Sequence, residues 1–405
     1  MTSQSLSTHR QAGAAQGWML ASTSWLAVIA TSLITPVLPK ITAYFAADPH
    51  VALKVSLVST IPALLVALCA WPAGLLADRL GVRLVLLIGV GAYGFLGCAP
   101  MVLNSLTGVV VSRASVGIAE AIIMTCATAL IGDYFHGEER DRWLALQTGG
   151  APLIAIVMVL VGGVLGNSNW RFPFGVYGMA FVVFPLALFK TWEPVEHKRI
   201  IETRTDQTEA DTEKFNWNPI FLICLLSFFA STSFYVIIVQ LGFILTERGM
   251  TSGSSIGLMM AIASICMALG ALLFKMLRMP VPGKLLISFT LSAIGFFVIA
   301  LSHSVLIAMV GTVINGIGAG MILPTLTVWT LSKLTLEVRA RGAGIWQASF
   351  FLGQFASPLI ILGLKNMFGS ESNAILTYAV FMTVSAAATV PFYLRSGSLQ
   401  LVEAE

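Results

Sequence analysis

The stretch Gly74-Leu-Leu-Ala-Asp78-Arg79-Leu-Gly81-Val-Arg83 decides the fold of this 405-residue chain. It combines an acid, two arginines and a turn-forming glycine between two long apolar runs, at 53–77 and 84–103. Each run is long enough for a helix to cross roughly 30 Å of hydrocarbon. We therefore expect a short polar loop between two membrane-spanning helices.

The composition extends this conclusion to the whole chain. It is 57% hydrophobic and 10% charged, whereas soluble domains carry about 25% charged residues. Further apolar runs of spanning length follow one another along the sequence. The chain is therefore predicted to be an all-α membrane protein whose twelve transmembrane helices lie at 18–39, 53–77, 84–103, 106–132, 143–165, 172–191, 219–242, 253–275, 283–302, 305–331, 343–364 and 373–394.

A charged break divides these spans into two sets of six. The predicted organisation is an N-terminal tail at 1–17, a bundle at 18–191, a linker at 192–218, a second bundle at 219–394 and a tail at 395–405. Most of the 23 lysines and arginines then lie on the side of the two termini. Because basic loops stay in the cytoplasm, both termini are predicted to be cytoplasmic. The compact loops favour a bacterial inner (plasma) membrane as the location.

The 74–83 stretch resembles the loop GxxxDRxGxR, a signature of the major facilitator superfamily. This resemblance implies two six-helix bundles around a central cavity that opens alternately to each side of the membrane. It also implies a conformational latch between the halves, formed by Gly74, Asp78, Arg79, Gly81 and Arg83.

Three other segments are similar to motifs of the drug:proton antiporter branch. Thr35–Ile41 resembles its PxLP element, and its prolines predict a kink in the first helix. The segment 113–117 resembles RxxQG, and Gly162-Gly163 followed by Trp170-Arg171 resembles the end of GPxxGG and the WR that follows it. The chain departs from these motifs at Val116, Met158 and Val159. The branch implies proton-coupled efflux by exchange.

Two ionisable residues in the fourth predicted span are candidates for proton coupling. An ionisable group in hydrocarbon costs about 2.5 to 3.5 kcal/mol or more, so it normally faces a cavity or a partner. Glu120 is predicted to carry the coupling proton, and Arg113 to tune it or to bind an anionic substrate group. Gly117 lies between them on one helical face and leaves a gap for substrate. The alternative is a polar tether between helices.

Polar residues of the second half are candidate substrate contacts, set among many Phe and Met side chains. Packing between helices is the alternative explanation for each of them. They are Tyr235, Gln240, Asn315, Trp346, Gln347 and Gln354.

No enzymatic or metal site is predicted. His136 and Asp141 fit the HxxxxD spacing of some membrane acyltransferases, but their place in a charged loop favours coincidence. The five cysteines lack metal-ligand spacing. We predict no cofactor, no catalytic residue, no metal and no nucleic-acid partner, and a monomer in the lipid bilayer whose partners are protons and a small organic substrate.

The preferred functional hypothesis is a secondary transporter that exports small organic compounds in exchange for protons bound at Glu120. The alternative is uptake of an organic anion, a carboxylate, by proton symport, with Arg113 as the anion site. A third hypothesis, from another class, is a transporter-like sensor or membrane enzyme without net transport.

Overall fold

A computed structural model describes residues 12–194, 217–332 and 339–402. Within these ranges twelve helices are long and apolar enough to cross a membrane, and there is no strand. This confirms the predicted fold class and helix count. The helices are α1 (Ala14–Tyr44), α2 (Val51–Leu80), α3 (Val82–Met101), α4 (Leu106–Tyr134), α5 (Gly137–Ser168), α6 (Phe172–Lys190), α7 (Trp217–Glu247), α8 (Gly253–Met276), α9 (Val281–Leu301), α10 (Val305–Ser332), α11 (Arg339–Phe368) and α12 (Glu371–Val402).

Several helices begin earlier than their apolar runs predict. α5 begins at Gly137 rather than near residue 143, and its first turn contains Glu138 and Glu139. Acidic side chains stabilise a helix N-terminus through the helix dipole. A hydropathy pattern detects only the part of a helix that lies in hydrocarbon, so it misses such polar ends.

α1 is interrupted where the sequence predicts a kink. Its first part ends at Ser32, a 3₁₀ turn follows at Thr35–Val37, and a short helix continues from Leu38 to Tyr44. Pro36 and Pro39 explain the interruption, because proline lacks the backbone N–H that a regular helix requires. The hydroxyl of Thr35 donates to the Thr31 carbonyl at 2.6 Å and satisfies one backbone oxygen there.

The buried apolar residues form two clusters. One lies almost entirely within α1–α6 and the other almost entirely within α7–α12. The two halves meet mainly where α5 packs against α8 and where α2 packs against α11. The predicted domain boundaries remain predictions, since most of the 1–17 tail, most of the 192–218 linker and residues 403–405 lie outside the described residues.

Candidate functional site

A cavity of about 670 Å³ lies between the two halves of the molecule. Its wall is formed by α1, α2, α4 and α5 on one side and by α7, α8, α10 and α11 on the other. Most of the lining side chains are apolar or aromatic, and a few polar groups lie among them. A site of this size and character suits a small organic molecule.

The cavity opens toward the face at which α6 ends and α7 begins, called here the linker face. Along α5 the lining residues Thr148 and Pro152 are exposed, whereas Val159, farther from this face, is buried. Along α8, Ala271 is exposed and Met267 is buried. Exposure therefore decreases with depth from the linker face.

The opposite face is sealed by close contact of α5 with α8. A Cβ atom on Gly163 would lie 2.6 Å from the Gly253 carbonyl oxygen and 2.9 Å from the Gly257 Cα. The Gly253 amide donates to the side-chain oxygen of Asn167 at 3.2 Å. Small residues allow backbones to approach in this way. Gly163 thus closes the cavity on this side, and in the sequence it belongs to the segment similar to the antiporter motif.

Gly163→Ala should weaken this seal. Because the added methyl group would overlap the α8 backbone, and overpacking costs about 1–3 kcal/mol, the populations should shift roughly tenfold toward states open at the opposite face. Opening of the opposite face can be measured with a cysteine at position 35 in a cysteine-free background, because Thr35 is buried behind the seal. Its labelling by a membrane-impermeant thiol reagent should accelerate roughly tenfold.

Gly149→Ala on the same helix is the matched control, because a Cβ there meets no atom within 4 Å. It should leave the labelling rate of the cysteine unchanged. Equal labelling rates in the Gly163 variant and in this control would show that the contact does not hold the opposite face closed.

Glu120 lines the cavity at the middle of α4. Its side chain is 3% exposed. The Oε1 atom has no hydrogen-bond partner in the described part of the chain. A buried carboxyl oxygen without a donor favours either protonation of the group or a ligand that supplies a hydrogen. Glu120 therefore lines the cavity, and its role in proton coupling remains a prediction.

Arg113 lies within the first bundle and is absent from the described cavity lining. It is 0% exposed. Its guanidinium donates to the Val58 carbonyl at 3.2 Å, to the Tyr177 hydroxyl at 2.6 Å and to the Ala30 carbonyl at 3.0 Å. These bonds connect α4 to α2, α6 and α1. In this conformation Arg113 acts as the tether that the sequence analysis held as the alternative, and its role as an anion site remains a prediction.

Gly117 contacts another helix rather than the cavity. A Cβ atom at this position would lie 2.6 Å from the Pro62 Cα and 2.7 Å from the Pro62 carbonyl oxygen. α2 therefore fills the gap beside Gly117 that the sequence analysis assigned to substrate. That expectation is corrected for this conformation, because the small residue serves close helix packing.

The candidates in the second half divide into two groups. Tyr235, Gln347 and Gln354 line the cavity. Gln240 and Asn315 are buried outside the described lining, and the Asn315 amide donates to the Ser292 carbonyl at 3.2 Å. Trp346 also lies outside it and stacks on Phe350 with ring centroids 6.0 Å apart.

A polar network on the first-bundle wall was not among the predicted site residues. The Gln147 side-chain amide donates to the Ser24 hydroxyl at 2.7 Å and to the Thr128 hydroxyl at 3.0 Å. The Trp25 indole donates to the Gln147 carbonyl at 3.0 Å. All four residues line the cavity. Gln147 stands out in the sequence only as a counterpart of Gln354, since both are glutamines a few residues before a proline.

The 74–83 stretch forms the predicted loop between α2 and α3. Gly81 has a φ of +95°, which favours glycine. The carboxylate of Glu193, beyond α6, accepts from the amides of Val82 and Arg83 at 2.8 and 3.0 Å, and so caps α3. The Arg83 side chain donates to carbonyls of the α6 end, at Leu188 and Thr191.

The remaining residues of the predicted latch lie in the last two turns of α2. Asp78 and Arg79 are exposed there, and Gly74 is half-buried near Thr125 of α4. The bonds of Arg83 thus join α3 to α6, and those of Glu193 join the residues just after α6 to α3. The role of this loop as a latch between the halves remains a prediction.

A comparison with known families matches each half of the chain separately. A family model described as Major Facilitator Superfamily matches residues 20–229 and again residues 221–400. The chain belongs to the major facilitator superfamily. As a superfamily member it is a multi-pass secondary transporter of small molecules.

Two relatives are named as transporters. "Probable anion transporter 6, chloroplastic" of Arabidopsis thaliana is 28% identical over 42% of this chain, and the match covers about a third of that protein, 34%. The "3-(3-hydroxy-phenyl)propionate transporter" of Escherichia coli (strain K12) is 25% identical over 71% of this chain and 72% of that protein. Both names describe transporters rather than enzymes. The resemblance to the antiporter branch is not confirmed by them and remains a prediction.

A solved structure has the same superfamily fold. It is a bacterial homologue of the human lysosomal transporter Spinster, in an inward-facing and unoccupied conformation, with 18% sequence identity. It aligns with a TM-score of 0.72 over 94% of this chain and 97% of its own. The similarity supports the helix arrangement that places the cavity between the two halves.

Proposed function

We propose that this chain is a proton symporter for small aromatic organic acids, which carries one proton with each substrate anion. The observation that carries the proposal is the charge inventory of the cavity. Among the described residues that line it, Glu120 is the only one with a carboxyl group, and none is Lys, Arg or His.

Because Glu120 is the one described charge in the lining, binding of an anion depends on the protonation of this residue. Two like charges in a poorly solvated cavity repel each other strongly, so an anion is not bound well beside an ionised Glu120. A neutral, protonated Glu120 removes this repulsion and donates a hydrogen bond to the substrate carboxylate. The anion and the proton therefore bind together and leave together.

The rest of the wall supports an aromatic substrate. Trp25, Phe234, Tyr235, Phe350 and Phe351 line the cavity, and such rings pack well against an aromatic body. The name of one relative, an anion transporter, favours an anionic substrate, and the name of the other, a transporter of a hydroxyphenyl acid, favours an aromatic acid.

The positive-inside distribution of basic residues supports an orientation, and the compact loops support a location. We propose a plasma-membrane location with both termini in the cytoplasm, so that the cavity described here is open to the cytoplasm. The working unit is one chain, and alternation between its two halves moves the substrate without chemical change.

Export by proton exchange is the second candidate, and one observation favours it. A cavity with one acid and no described basic lining residue also suits an organic cation, which pairs with ionised Glu120 and competes with the proton. The two candidates differ in the sign of coupling, because an anion requires the protonated acid whereas a cation requires the ionised one.

The direction of proton movement therefore distinguishes them. In proteoliposomes with a pH-sensitive dye inside, an inward gradient of 4-hydroxyphenylacetate should acidify the lumen faster than in liposomes without protein. An inward gradient of tetraphenylphosphonium should leave the lumen pH unchanged. Liposomes containing the Glu120→Gln protein correct for passive entry of the neutral acid.

Lumen alkalinisation driven by the cation would instead establish exchange. Absence of protein-dependent pH change with the aromatic acid would overturn the symport proposal.

A further inference from the structure

Gln354 of α11 lines the cavity wall of the second bundle and is not fully hydrogen-bonded. Its side chain is 5% exposed. Its Oε1 atom has no hydrogen-bond partner among the described residues. A buried amide oxygen without a donor raises the free energy of the unliganded site, so a ligand that supplies the donor gains affinity from it.

Glu120 lies on the other wall, at a similar distance along its own helix. Each residue is about 20 Å along its helix from the linker face, since a helix rises about 1.5 Å per residue from Tyr134 back to Glu120 and from Arg339 on to Gln354. One group belongs to the first bundle and the other to the second. A substrate that contacts both would connect the halves that must close around it.

Phe350 is the aromatic neighbour of Gln354. The two residues are four apart on α11, so their side chains lie on one helical face. The Phe350 ring lies 5.8 Å from Tyr235 and 6.3 Å from Phe234, centroid to centroid. A substrate ring packed against these side chains would present a ring substituent to the Gln354 amide.

We infer that Gln354 recognises a hydroxyl group on the ring of the substrate, while the substrate carboxylate faces protonated Glu120. This inference rests on the proposed function and specifies the substrate class as hydroxylated aromatic acids. A hydroxyl both donates and accepts, so it satisfies the Gln354 amide in either orientation of its terminal torsion. An unsubstituted ring leaves the amide oxygen without a donor.

Binding of paired acids to the purified protein tests the inference. The affinities of 3- and 4-hydroxyphenylacetate are compared with that of phenylacetate by titration calorimetry. The better of the two hydroxylated acids should bind roughly tenfold more tightly than phenylacetate, the difference expected for one hydrogen bond to an otherwise unpaired buried group. In Gln354→Leu this ratio should fall to about one, because the side chain no longer pairs with a hydroxyl.

A second variant and a control keep the test decisive. Gln354→Met, with an unbranched side chain of similar length, should also bind the hydroxylated acid and phenylacetate equally well. It provides the test if the leucine variant folds poorly. Ser357→Ala on the same helix removes a bond to the Thr232 carbonyl outside the described lining, and should keep the ratio.

Equal affinities in the wild type, or a ratio that survives in both Gln354 variants, would overturn the inference. Failure of the proposed function is a separate result, because it concerns proton movement in liposomes and not the affinity ratio.

Discussion

Glu120→Gln should lose nearly all proton-driven accumulation of the aromatic acid. One proton per substrate and a pH difference of one unit support about tenfold accumulation in the wild type, since one pH unit corresponds to about 1.4 kcal/mol. Glutamine mimics the protonated acid but releases no proton. At times short compared with passive entry of the neutral acid, which liposomes without protein measure, the accumulation ratio should therefore fall to about one in proteoliposomes with an imposed pH gradient and radiolabelled acid.

Exchange of labelled for unlabelled substrate should persist in Glu120→Gln, because it requires no release of the proton. Glu371→Gln is a matched control: Glu371 is 5% exposed, pairs with Lys365 at 3.2 Å and lies at the opposite face, at the start of α12. This control should accumulate substrate normally. Wild-type accumulation by Glu120→Gln would remove Glu120 from the coupling mechanism.

Arg113→Leu should cause the largest loss of stability among the changes considered. It removes the donor to the Val58 carbonyl, the donor to the Tyr177 hydroxyl and one of the two donors to the Ala30 carbonyl, all in a buried region. Hydrogen bonds to a charged group contribute about 1.5–3 kcal/mol each, so the total loss should be roughly 3 kcal/mol or more. The midpoint of thermal unfolding in detergent should fall by several degrees.

Tyr177→Phe tests the same network more mildly. The Tyr177 hydroxyl accepts from Arg113 and donates to the Ala30 carbonyl at 2.8 Å, so its removal should cost less than the loss of the arginine. If Arg113 is a tether, folded Arg113→Leu protein should lose affinity for anionic and neutral ligands equally. Selective loss of anions would instead support the anion-site prediction.

The fold was largely predictable because the length of an apolar run is a one-dimensional property. Twelve runs of spanning length, with a charged break after the sixth, correspond to α1–α12. The Pro36 kink and the Gly81 turn were also predictable, because each depends on the backbone of one residue. Helix ends such as Gly137 were not, because polar turns extend beyond the hydrocarbon.

The candidate site was predictable only in part. Glu120 could be identified because an acid in a membrane span is costly, and this cost indicates a cavity or a partner whatever the packing. The same rule selected Arg113, which has partners instead, at Ala30, Val58 and Tyr177. The rule therefore identifies charged residues that need a partner or a cavity, but it does not say which of the two each residue has.

The membrane-spanning character, the helix count, the superfamily loop and the acid Glu120 in the fourth span could all be identified from the sequence. Tertiary structure alone decided that Gln147 and Gln354 line the cavity, that Gln240 and Asn315 do not, and that Gly117 packs against Pro62. The physical reason is that hydrophobic length is set along one helix, whereas the direction of each helix face depends on how all its neighbours pack.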